Sequence, residues 1–232
     1  MNELRVCVDR ARGRQGERLV MEPGKMWATP EEVSPEPILL GVGFLDGDPG
    51  LQAEVRKVAS EWAKYANVQF MDDCQPPECE IRISFRTLGS WSYLGKDSIG
   101  LPGDKATMGY GWLTPSSTQE EIRRVVLHEF GHALGCAHEH FHPDGGIPWN
   151  AAKVYQWYEE NMGWGREMVD GNVLFRYGPT QTVHTRFDPR SIMLYAIPAE
   201  LTDGVYHTDW NWELSELDKA FISRMYPRPG KG

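Results

Sequence analysis

Residues 128–138, HEFGHALGCAH, constrain what this chain can fold into more than any other stretch. His128 and His132 are four residues apart, so on a helix their rings lie one turn apart on one face. Two imidazoles so placed can reach a single zinc ion at about 2.0–2.1 Å. Glu129 stands beside the first of them, where its carboxylate can take a proton from a water at the ion without being a ligand. Two ligands leave a tetrahedral site incomplete. Gly135 accepts a left-handed backbone, so it can end the helix and turn the chain back. His138 follows three residues later and can approach the same ion from another direction. His, Glu, His, Gly and His at these spacings arise by chance in about one chain in 10⁵ of this length.

Five of the seven histidines fall between 125 and 146, and they are not equivalent. Cys136 would have to point backward to reach the ion, and reads as a small buried hydrophobe. His140 is an alternative third ligand if the segment beyond the turn is extended, and His142 is a more remote one.

Composition excludes several classes of partner. The 232 residues are 41% hydrophobic, which suits one domain or one domain split into two lobes around a cleft. A net charge of −9 argues against nucleic acid. No run approaches the roughly 18 apolar residues of a membrane span, so no membrane partner is expected, and the chain is expected to act as a monomer. The stretch 1–20 mixes charges and lacks the apolar core of a secretory signal. The expectation is a cytoplasmic protein, one exported by a non-classical route, or part of a secreted one. Cys74 and Cys79 are close enough to bridge a short loop in an oxidising compartment.

Residues 1–35 are polar and read as an N-terminal extension or prosegment-like arm, with a single domain over 36–232 whose lobes meet near 138. The apolar run 38–45 predicts a strand, and Val55, Val58, Ala59 and Trp62 predict an amphipathic helix over 51–66. Strands are expected at 68–71, at 81–85 with alternating polarity, and at 106–114. The helix bearing the histidines should run from about 118 to Leu134, with Ser117 and Glu120 as a capping box. Further helices are expected at 151–162 and at 214–226, the last capped by Ser215 and Asp218. The order is α+β. The acidic turn at Asp46 and Asp48 reads as solvated rather than as a calcium site.

The extended pattern resembles the metzincin zinc metallopeptidases, which also carry a downstream Met-turn, here Ser191 to Tyr195. Within them the chain looks most like the astacins, through Glu139, Pro143 and Asp144 after the third histidine, WSYLG at 91–95, and the ending LSELD…ISRMY. The likeness covers about 88–226. It departs at Ser90, where astacins usually have a disulfide cysteine, at His142, where they usually have Arg, and at Gly145 and Gly146, where they have a charged pair. The resemblance implies a zincin fold, with a twisted mixed sheet and an active-site helix over a loop-rich C-terminal lobe that ends in a closing helix. It implies one zinc ion on His128, His132 and His138, with Glu129 as general base and Met193 as a floor beneath the metal. Tyr195 would be an additional ligand at rest that swings away to stabilise the oxyanion. Glu139 would lie near a mature N-terminus.

The expected activity is hydrolysis of peptide bonds in a peptide or protein substrate lying along an edge strand at 106–114. Alternatives are a catalytically silent, zinc-stabilised binding module and a zinc hydrolase of a non-peptide amide. Cys7 has two readings: a strand cysteine, or a thiolate that fills the open position of the zinc and keeps the enzyme latent.

Overall fold

A computed structural model describes residues 7, 21, 23–32, 34–178 and 183–230. Of the N-terminal arm, positions 1–6, 8–20, 22 and 33 lie outside the described residues. The apolar run becomes β1 (Ile38–Phe44), and it pairs in parallel with β2 (Val68–Met71) and with β3 (Ile81–Ser84). Beyond β3 the sheet continues to β5 (Met108–Tyr110), parallel, and then to β4 (Ser90–Ser92), antiparallel, giving the order β2-β1-β3-β5-β4.

Helix α1 (Pro49–Ala59) starts where the Asp48 side chain accepts from the Leu51 N–H, with Pro49 pre-set for a first turn. It ends seven residues before the periodicity suggests. The Ser60 hydroxyl bonds back to the Lys57 carbonyl, and a separate single turn, Trp62–Lys64, follows. That turn drops Trp62 into the core, where its indole N–H donates to Leu127 O at 2.9 Å.

Alternation in β3 misleads about its environment, because all four of its residues are buried. Arg82 lies in the interior, and its guanidinium donates to the carbonyls of Cys79, Lys105 and Leu101. A buried charge is tolerated where its donors are so occupied. Cys74 and Cys79 form the disulfide that closes the loop before β3.

The main core lies between the sheet and α2 (Gln119–Ala133), which also packs on α1. Residues of the N-terminal arm join it. Met21 is fully buried and bridges to Cys136, and the Trp27 indole donates to Ala133 O at 2.7 Å. The C-terminal half carries α3 (Ala151–Met162), the short α4 (Arg166–Val169), which is not predicted from periodicity, and α5 (Glu216–Met225) with the expected Ser215–Asp218 capping box. No helix among the described residues is long and apolar enough to cross a membrane.

Candidate metal centre

Helix α2 is capped by Thr118, whose hydroxyl accepts from Glu121 N. This is one residue later than expected, and Ser117 instead accepts from Thr114 N. The helix ends at Leu134, and Gly135 takes φ +97°, the left-handed turn the sequence predicts. The chain then reverses and carries His138 back under the helix.

The three histidines converge. His132 Nε2 lies 3.2 Å from Nε2 of His128 and 3.2 Å from Nε2 of His138. Nitrogens about 2.0–2.1 Å from one tetrahedral zinc are themselves about 3.3 Å apart, so the spacing fits. Backbone carbonyls set the tautomers. His128 Nδ1 donates to Ile192 O at 2.8 Å and His132 Nδ1 to Cys136 O at 2.7 Å. The ring protons of His128 and His132 are thereby at Nδ1, and the Nε2 lone pairs of these two face one another. Burial, with His132 and His138 alongside, holds the His128 pKa well below the usual histidine range, which keeps it neutral. Converging bare lone pairs repel unless a cation lies among them, so the donor set fits zinc.

Glu129 is 1% exposed, and both its oxygens are engaged. Oε1 accepts from the Ser90 hydroxyl at 2.7 Å, and Oε2 from the Cys7 thiol at 3.2 Å. The Cys7 sulfur groups with the three histidines, all four ligand atoms lying within 4.8 Å of one another. Tyr195 sits at the same place, its hydroxyl 2.6 Å from His138 Nε2 and donating to Cys7 O at 2.6 Å.

Residues 191–195 run beneath α2. A Cβ on Gly131 would lie 2.4 Å from Met193 Sδ, so the methionine fills the space beside the helix turn that carries His128 and His132. Asp218, at the start of α5, holds this segment by accepting from Ser191 Oγ at 2.7 Å and Ile192 N at 2.8 Å, besides Ser215 N at 2.9 Å. Burial raises the Asp218 pKa to about 6 against these hydrogen bonds.

The rival ligands lie elsewhere. His140 donates through Nε2 to Asn172 O at 3.0 Å and packs against the Tyr195 ring in a tilted contact. The Cys136 side chain is outside the cluster, although its carbonyl orients His132. Ligand atoms of His142, Asp144 and His184 come together, but the His142 ring has both nitrogens on backbone, accepting from Asp144 N and donating to Thr185 O. Glu139 is buried, accepts from Asp188 N at 2.8 Å, and lines a small cavity with Asp188, Ser191 and Asp218. Asp46 binds Ser84 Oγ and Phe85 N, so the Asp46–Asp48 turn is structural.

One expectation is corrected. Residues 106–114 do not form an edge strand. Only 108–110 are a strand, and β5 is flanked by β3 and β4. The edge beside the histidines is β4, and Cys7 pairs with its first residue, Ser90, in parallel. A single sequence marks strands by composition but does not tell which of two neighbours is outermost. The carbonyls of Ile192 and Cys136 are likewise silent in sequence, since every residue has one.

No family model matches the chain, and no curated protein matches it. Two solved structures of myroilysin are similar. One has 37% identity and a TM-score of 0.81, covering 90% of this chain and 98% of that one. The other has 34% identity and a TM-score of 0.64, covering 95% and 91%. High choriolytic enzyme 1, a hatching enzyme zinc-protease from the medaka fish Oryzias latipes, shares the fold at 15% identity and a TM-score of 0.59, covering 92% of this chain and 100% of that one. With an α+β fold, a histidine site of zinc geometry and relatives of this identity over nearly its whole length, the chain belongs to the astacin-type zinc metallopeptidases.

Proposed function

We propose that this zinc metalloendopeptidase works with a single zinc ion held by Nε2 of His128, His132 and His138, with Glu129 as general base. The observation that carries the reading is that His132 Nε2 lies 3.2 Å from Nε2 of both His128 and His138, with Glu129 one residue from His128. When bound, zinc supplies Lewis-acid chemistry, acidifying a water and polarising the scissile carbonyl. Glu129 takes the proton as the water attacks, then gives it to the departing amine. Tyr195 rests against His138 and turns its hydroxyl to the carbonyl oxygen as negative charge grows there. The substrate main chain lies along the open side of β4, whose backbone groups bind it without reading side chains.

A second reading concerns latency. The Cys7 sulfur lies among the histidine nitrogens and its backbone bridges to Ser90 of β4, so with zinc bound and the thiol deprotonated Cys7 would be placed to act as a fourth ligand and to stand in the substrate's place. In this form the arm is an inhibitor that has to leave before a substrate can enter.

The ligand assignment is tested by zinc content. His138→Ala should lose zinc while His140→Ala keeps it, and the reverse pattern would show the assignment to be wrong. A panel of peptides and non-peptide amides, assayed with chelator and after zinc is restored, tests the activity. Zinc-dependent cleavage confined to non-peptide amides, or absent altogether, would favour the alternatives.

A further inference from the structure

Glu129 has two oxygens, and the protein treats them differently. Oε2 faces the histidine cluster, because the sulfur it touches at 3.2 Å belongs to that cluster. Oε1 faces the sheet and accepts from the Ser90 hydroxyl at 2.7 Å. Ser90 is 1% exposed and its backbone is fixed in register opposite Tyr110, so the hydroxyl approaches from a rigid direction. Its one other acceptor among the described residues, Gly109 O, is farther away at 3.2 Å. A charged acceptor at the shorter distance takes the proton in preference to a neutral carbonyl.

We propose that Ser90 is a positioning residue for the general base: by donating to Oε1 it fixes the carboxylate plane and makes Oε2 the oxygen that collects and returns the proton. The inference rests on Glu129 acting as the base, as proposed above. A carboxylate on a flexible two-carbon stem has several orientations, and only those with an oxygen toward the metal side are productive. The hydroxyl selects one of them. When Oε2 is protonated, Ser90 still donates to Oε1, so the carboxyl keeps its orientation until the proton passes to the leaving amine. A cysteine held in a disulfide at position 90 would have no proton to give. Because Ser90 is also the first residue of the edge strand, the same residue borders the substrate's path and orients the base.

The test uses the zinc-loaded chain of 232 residues in a Cys7→Ala background, which removes the thiol that shares Glu129. Ser90→Ala should lower kcat about tenfold to a hundredfold with KM changed less than about twofold, since orientation acts on the chemical step rather than on binding. Zinc content should be unchanged. Ser90→Thr, which keeps the hydroxyl and suits a strand, should restore kcat to within about threefold. Crystal structures of the zinc-free variants give a readout independent of activity: Glu129 should be rotated or in several conformers in Ser90→Ala and single in Ser90→Thr. A Ser90→Ala enzyme with kcat within about twofold of its parent, or an ordered, unmoved Glu129, would overturn the proposal. So would a Thr variant as impaired as the Ala variant, because the defect would then be one of packing. Glu129→Gln is the control. Full activity in that variant would remove the base reading itself, whereas an inactive Glu129→Gln beside an unimpaired Ser90→Ala would remove only the role of Ser90.

Discussion

The sulfur of Cys7 lies 3.2 Å from Oε2 of Glu129, across 122 residues of sequence. The Tyr195 hydroxyl donates to the carbonyl of the same cysteine, so Glu129 and Tyr195 are both engaged by Cys7. Replacing Cys7 by Ala should therefore raise peptidase activity of the 232-residue chain at least about tenfold, equivalent to about 1.4 kcal/mol of lost self-inhibition. A thiol-modifying reagent should do the same to the parent and nothing to the variant. Activity and zinc coordination unchanged in Cys7→Ala would exclude the latch.

Tyr195→Phe removes one hydroxyl from beside His138 Nε2 and leaves the ring contact with His140 in place. Loss of one oxyanion donor costs about 10²-fold in kcat, so that is the expected size, with zinc retained. Steady-state kinetics with metal analysis checks it, and a kcat close to the parent's would remove Tyr195 from the chemistry.

The end of α2 is tied to the end of α5. Tyr226 donates to Leu134 O at 2.7 Å and accepts from Trp27 N at 3.3 Å, which joins α2, the arm and α5. Tyr226→Phe leaves a buried helix carbonyl unsatisfied, at a cost of about 1–3 kcal/mol. Thermal unfolding should shift down by roughly 2–4 °C for each kcal/mol. No shift would mean that water replaces the hydroxyl.

Asp218 gives a pH dependence of defined sign. Its pKa rises from the ordinary 3.8 to about 6, chiefly through burial, so between those values the folded state binds more protons than the unfolded. Its contribution therefore favours the fold below about pH 4 and is lost as pH rises through about 6, by at most about 3 kcal/mol. Denaturant titrations should show the stability of the parent falling relative to Asp218→Asn across that window. Parallel curves would contradict the assigned ionisation.

What was legible in the sequence was what depends on spacing. The interval between His128 and His132 fixes a helix face, Gly135 marks the reversal, and the Ser215–Asp218 cap appears as read. What was not legible depends on distant backbone. The end of α1 follows Ser60 rather than the apolar period, Arg82 is buried because three carbonyls from other segments receive it, and β5 is internal because β4 folds outside it. Ser90 stood out in sequence only as a missing cysteine. Its hydroxyl gained meaning when the fold set it 2.7 Å from a glutamate 39 positions away.

By the reading proposed above, Glu129 moves the proton at a zinc ion it does not bind. Glu129→Ala should keep zinc at the parent's stoichiometry and lose about 10²–10⁴ of the peptidase kcat. Metal analysis and peptide hydrolysis on one preparation decide it: retained zinc with lost activity is the expected result, and full activity in that variant would rule out Glu129 as the base.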